Sequence, residues 1–210
     1  MQQLSKTETH QTFLHHRIAF VLEALEEEHA ALCEEMLGTQ DAYKQEYLWS
    51  QWIEYFFTGG LITWQGFASV PIMLELLQRK DWFDRRMVLE YLAFWVEKID
   101  AIYFFYDSLR EVSYEAEEER WHEVRNREIC RPWLQLAFHT LRAHVSVIEA
   151  IFQQGHAGEQ GLCMRILWYS LRMGKLDVQP ETKIQLTAWA KQTARVNPYI
   201  DENQLNLFGL

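Results

Sequence analysis

Apolar residues recur every three to four positions along nearly the whole chain, and no stretch alternates long enough to suggest a strand. Leu14, Ile18, Val21, Leu25, Leu32 and Met36 make one helical stripe, with His29 at the position the spacing skips. Ser5-Lys6-Thr7-Glu8 has capping-box spacing, in which a hydroxyl and a carboxylate satisfy the first free amides of a helix. One helix is therefore expected from there to Gly38, where a glycine ends it. A second runs from about Asp41 to Phe57, carrying Tyr43, Tyr47, Leu48, Trp52, Tyr55 and Phe56, and breaks at Gly59-Gly60. After an irregular stretch around Gly66, Ser69-Val70-Pro71 opens a helix to about Gln78, since proline is tolerated in a first turn. Asp81 is the expected N-cap of a long apolar helix through Leu109, and helical character continues past Tyr114 into the charged stretch Glu115 to Glu128. Pro132 restarts the pattern, giving helices over about Trp133 to Phe152, Gly161 to Met173 and Pro180 to Val196. Asn197-Pro198 stops propagation, because the residue before a proline is pushed out of the helical region.

The pattern predicts an all-α protein, an irregular bundle or array of about seven helices over residues 1–198, followed by a short extended tail over 199–210. Composition supports a packed core: 210 residues are 49% hydrophobic and 14% aromatic, with 4 prolines and 9 glycines, the reverse of a disordered chain. The nine tryptophans are expected in the core or a groove, because each removes a large apolar area from water. The most apolar run, Tyr91 to Leu109, is interrupted by Glu97, Lys98, Asp100 and Asp107, too polar to span a bilayer. With no apolar signal core behind the N-terminus, a cytoplasmic protein without membrane contact is expected. Cys33, Cys130 and Cys163 are odd in number and far apart, which reads as free, buried or half-buried thiols.

The net charge of −10 argues against a protein that coats nucleic acid broadly. The charge is uneven: acids dominate between Glu23 and Glu54, whereas Arg165, Arg172, Lys175, Lys183, Lys191 and Arg195 face only Asp177 and Glu181. Those six cations are a candidate DNA-facing set, against the plainer reading of a solvated face. The cluster Trp49, Trp52, Tyr55, Phe56 and Phe57 could stack on bases, but its acidic neighbourhood favours core packing.

Two Glu-x-x-His pairs, Glu26 with His29 and Glu119 with His122, each put a carboxylate and an imidazole on one helical face, as carboxylate-bridged di-metal bundles do. Both glutamates lie in runs of three, and the order of the pairs does not match that architecture, so a satisfied core or interface histidine is the simpler account of His29. His139 and His144 are five apart and share no face. There is no Gly-rich phosphate loop, nucleophile elbow or other cofactor motif, and no cofactor is expected.

The segment Gln204-Leu205-Asn206-Leu207-Phe208 resembles the short motif by which bacterial polymerases, mismatch-repair proteins and replication regulators bind the DNA polymerase sliding clamp (its beta subunit): glutamine, an aliphatic residue, a small polar residue, leucine, phenylalanine. The resemblance covers these five residues, with Leu210 as a further apolar contact, and every position fits. It implies that Gln204 fills one subpocket of the clamp, and Leu207 and Phe208 the other. Physically, three large apolar side chains follow Asp201, Glu202 and Asn203 on a segment too short to bury them itself, so they either fold back on the body or are held out for a partner. A chance match has a probability of roughly 0.3% for a chain of this length. The expected function is a non-enzymatic bacterial, phage or plasmid protein recruited to DNA replication or repair. It would meet DNA indirectly or bring another replication or repair protein. The alternatives are a di-metal oxidase or hydroxylase and an acidic, immunity-type inhibitor of a basic protein.

Overall fold

The apolar stripes fold as α-helices. The computed structural model describes residues 6–58, 61–62, 64–108, 116–172 and 178–194. Among them run α1 (Lys6–Ala24), α2 (Glu27–Gly38), α3 (Ala42–Phe56), α4 (Trp64–Ala68), α5 (Val70–Gln78), α6 (Arg85–Ser108), α7 (Ala116–Ala143), α8 (Val145–Gln154), α9 (Ala157–Arg172) and α10 (Pro180–Ala194). The one departure is an antiparallel pair of two-residue strands, β1 (Phe57–Thr58) and β2 (Leu61–Ile62), with Phe57 opposite Ile62. The all-α class holds, with more helices than the expected seven. None of the described helices is long and apolar enough to cross a membrane.

The extra helices have local causes. The first stripe is cut at Leu25–Glu26, where Glu26 takes an extended conformation and becomes the N-cap of α2. The break moves Glu27 and Glu28 from a helix interior, where like charges repel, to a helix N-terminus, where the dipole favours them. The irregular stretch around Gly66 contains the single turn α4. Pro132 does not restart a helix; α7 passes through it, and the break comes at His144, whose Nδ1 lies 2.9 Å from the Thr140 carbonyl oxygen. Asp81 is not the cap of α6 either. Asp84 is, accepting the Arg86 N–H at 2.8 Å, because Arg79 engages Asp81 in a two-point ion pair. That guanidinium holds the Asp81 carboxyl below the usual carboxylate range. Similarly, α9 starts at Ala157, before the expected Gly161.

One continuous apolar core runs from Leu14 of α1 to Leu186 of α10. Trp52 sits at the centre of an aromatic stack, 5.2 Å from Trp49, 5.0 Å from Phe56 and 4.5 Å from Tyr91, centroid to centroid. Offset and edge-on pairs of this kind add about 0.5–1.5 kcal/mol each beyond area burial. Thus Trp49, Trp52 and Phe56 are core residues, as expected, whereas Tyr55 of the same cluster is exposed and the side chain of Phe57 lies outside the described residues. Cys33 and Cys163 are free and buried, and burial pushes both thiols up to about 12.

Two polar joints fix the helices around this core. Arg79 donates to the carbonyls of Met36, Leu37 and Thr39, a cation at the C-terminus of α2. Two charged pairs join α6 to α9: Arg85 to Glu159 (2.9 and 3.1 Å) and Arg165 to Glu97 (2.5 and 2.6 Å). Both members ascend in sequence from one pair to the next, so the two helices run in the same sense where they touch.

Candidate functional site

On α3, Gln45, Leu48, Trp49, Trp52 and Phe56 turn inward, so the opposite face is left to solvent. Tyr43, Tyr47, Ser50 and Glu54 fall on that face at intervals of four, three and four, one line along the helix. Tyr43 is 87% exposed and Tyr47 60%, unusual for side chains with this much apolar area. Tyr47 is fixed by Gln51, whose Nε2 donates to its hydroxyl at 3.0 Å. Tyr55 lies nearer α2 and donates to Glu28 at 2.7 Å, which raises its own pKa above the ordinary phenol value.

On the same pair of helices, the cap residue Glu26 with Glu27, Glu28, Glu34 and Glu35 of α2 and Glu46 and Glu54 of α3 are all exposed. Lys44 pairs with Glu35 at 2.5 Å, so part of the little positive charge here is already neutralised. Exposed tyrosines framed by carboxylates make a surface suited to a basic partner: the rings supply contact area at small entropic cost, and the acids supply steering. The sequence placed Tyr43 and Tyr47 on this helix without assigning them a face. Their phase relative to Trp49 and Trp52 was the signal that could have separated them.

The metal set does not assemble among the described residues. Glu26 is 75% exposed, 4.0 Å from the His29 ring, and His29 instead packs edge-on against Tyr55 at 4.8 Å and near Phe56 at 5.3 Å. His29 is thus packed among aromatic side chains as a core or interface residue, as anticipated, but it is not satisfied, since its Nδ1 is buried with no hydrogen-bond partner among the described residues. Glu119 and His122 belong to α7, but their side chains lie outside the described residues. The glutamates that could complete such a set are engaged elsewhere: Glu75 near His15, Glu90 with Arg86 and Glu97 with Arg165. No group of three or more potential ligands occurs among the described residues. His139 is exposed and His144 buried, consistent with their failure to form a ligand pair.

The basic stretch is divided. Arg165 is committed to Glu97, which raises its pKa, while Lys191 is exposed in the last turn of α10. Lys183, also on α10, is half-buried. The side chain of Arg172, together with Lys175 and Arg195, lies outside the described residues, as do Gln204, Leu205, Asn206, Leu207, Phe208 and Leu210. No protein-family model, curated protein or solved structure matches the chain.

Proposed function

We propose that the chain binds the bacterial DNA polymerase sliding clamp through Gln204, Leu205, Asn206, Leu207 and Phe208, with Leu210 adding apolar contact, and so brings its helical body to DNA under replication or repair. The observation that carries this reading is the completeness of the motif, which follows the helix-stopping Asn197-Pro198. Leu207 and Phe208 act as the apolar plugs and the Gln204 amide fixes register by hydrogen bonding. A single peptide of this size binds weakly. A second contact from the body would multiply the affinity through effective concentration. No chemistry is required of the body; it acts by occupying the clamp cleft or by delivering what it carries.

Titration calorimetry of the full chain against purified clamp tests this. Binding is expected for the natural sequence and lost in Leu207→Ala/Phe208→Ala, with the thermal melt unchanged. Equal clamp affinity in the two proteins would overturn the reading.

One observation favours a second reading, an acidic inhibitor of a basic protein: the line of exposed tyrosines on α3 amid the glutamates of α2 and α3. Affinity capture from a bacterial lysate separates the two. A basic protein retained by the natural sequence and by the Leu207→Ala/Phe208→Ala variant, but released by Tyr43→Ala/Tyr47→Ala, supports the second. Clamp lost only with Leu207 and Phe208 supports the first.

A further inference from the structure

Helices α1 and α7 lie antiparallel. The Phe13 ring is 6.2 Å from the His144 ring and the Phe20 ring 5.8 Å from that of Trp133, so rising positions on α1 meet falling positions on α7. Between them opens a groove of about 850 Å³, in which Phe20, Pro132, Trp133 and Phe138 supply apolar wall and Arg131 an exposed cation. None of the described lining residues is acidic, in a chain with 30 aspartates and glutamates against 20 lysines and arginines.

The wall is firmly built and its mouth is bare. Trp133 is held between Phe20 and Trp64, the latter 5.1 Å away, centroid to centroid. Phe20 nevertheless stays 54% exposed. Ile129 lies one helical turn along α7 from Trp133, on the same face, and is 44% exposed; Pro132 is exposed as well. Large apolar side chains gathered at one open place mark a surface that takes a partner.

We infer that this groove holds residues 201–208 of the same chain while no clamp is bound, so that groove and clamp compete for one set of side chains. Chemistry selects that occupant. Leu205, Leu207 and Phe208 need an apolar surface that so short a segment does not supply, and the groove offers one. Asp201 and Glu202 precede them, matching Arg131 in a groove without a described carboxylate. Reach permits it. Trp189 of α10 packs against Trp168 of α9, Arg165 of α9 pairs with Glu97 of α6, and Trp95 of α6 lies 5.0 Å from Phe138 in the groove wall. From α10 to the groove is thus three helix-to-helix steps of about 8–10 Å, roughly 30 Å in all. Phe208 stands fourteen residues beyond Ala194, a length of chain that spans up to about 46 Å. Such a tether gives an effective concentration of about a millimolar. A groove affinity of about 0.1 mM then covers the motif roughly nine-tenths of the time and weakens clamp binding about tenfold. The competition rests on the clamp-binding reading; the docking does not.

Photocross-linking tests the docking, with a benzophenone amino acid replacing Ile129 in the full chain. Irradiation should join position 129 to the tryptic fragment that follows Arg195, within one molecule, as mass spectrometry of mixed isotopically light and heavy chains reads. Excess clamp should suppress the product, and Leu207→Ala/Phe208→Ala should lose it. Calorimetry tests the competition: Phe20→Ala should bind the clamp about tenfold more tightly than the natural chain, and Arg131→Glu several-fold more tightly, both at the natural melting temperature. Should Phe20→Ala unfold, Arg131→Glu decides alone. Absence of the product, or a product joining only light to heavy chains, would overturn the inference. Clamp affinity equal in the natural chain and both variants would overturn the competition. A chain that cross-links yet ignores the clamp in every variant upholds the docking and defeats the clamp reading. One that binds the clamp without cross-linking does the reverse.

Discussion

Gln45 shows how much a single side chain can organise. It is fully buried; its amide nitrogen donates to the carbonyls of Thr39 and Asp81 (both 3.1 Å) and its oxygen accepts the Phe83 N–H at 2.8 Å. One residue thereby satisfies the loop before α3 and the loop before α6. Gln45→Leu should lower the unfolding free energy by about 2–4 kcal/mol, because it strands these partners away from water; urea denaturation measures it. This role was not legible in the sequence, where a glutamine beside Lys44 and Glu46 reads as an ordinary surface position. Two of the three thiols were legible: wide spacing and odd number argued for free, buried or half-buried cysteines, and Cys33 and Cys163 are free and buried, while the side chain of Cys130 lies outside the described residues. Both should resist a thiol reagent at pH 8 in the folded protein and react after denaturation, as peptide mapping by mass spectrometry would report.

At the scale of elements, stripes were easier to read than junctions. Periodicity located the apolar stripe of α1 and α2 and the approximate spans of α3, α5 and α6, since it depends only on the helical repeat. The breaks at Glu26 and His144 rest on local details that apolar periodicity does not contain, an extended cap residue and a side chain set against a carbonyl one turn back, and the proline rule did not anticipate the passage of α7 through Pro132. The turn between α8 and α9 is such a junction. Glu159, in the first turn of α9, accepts the His156 N–H at 3.0 Å, one half of a capping box, while also gripping Arg85 of α6. Arg85, the largest influence, and the His156 N–H together hold the Glu159 carboxyl below its ordinary value of 4.5, so the bonded carboxylate stabilises the fold above that pH and loses its effect as pH falls through the lower, folded value. Glu159→Gln should therefore cost about 2 kcal/mol at pH 7, and the gap from the natural protein should close below about pH 4.5 in chemical denaturation. A Cβ added at Gly155 would meet the Ile151 carbonyl oxygen at 2.6 Å and Glu159 Oε2 at 2.8 Å. Gly155→Ala should lower the melting temperature by disturbing the same joint, as scanning calorimetry would record.

Over the whole molecule, charge and greasy surface are sorted by region. The α2–α3 side carries exposed tyrosines amid glutamates, and the α1–α7 groove carries exposed Phe20 amid arginines. The sequence hinted at the first through its run of acids, but put the cations of interest between Arg165 and Arg195. There Arg165 proves to be a structural tie to Glu97. The groove was invisible in the linear order because Arg17 and Arg131 are far apart in sequence and meet only when α1 folds against α7. The tail motif, by contrast, needed no fold to be read, since a short linear peptide carries its chemistry in consecutive residues.

The way α10 is attached bears on anything that pulls from beyond it. Its principal packing is against α9, with Trp189 against Trp168 and Tyr169 in a small cluster of their own, and Gln185 accepting from Gln153 of α8 at 3.3 Å. Tension from an anchored partner holding residues 204–208 would reach α10 first among the described helices, before it reached the tryptophan stack around Trp52. Under load α10 should therefore detach as a separate step at low force, letting the rest of the body swing on a longer leash while it stays folded; a single-molecule trap gripping the chain at both ends would register that step as a small early extension before the main rupture.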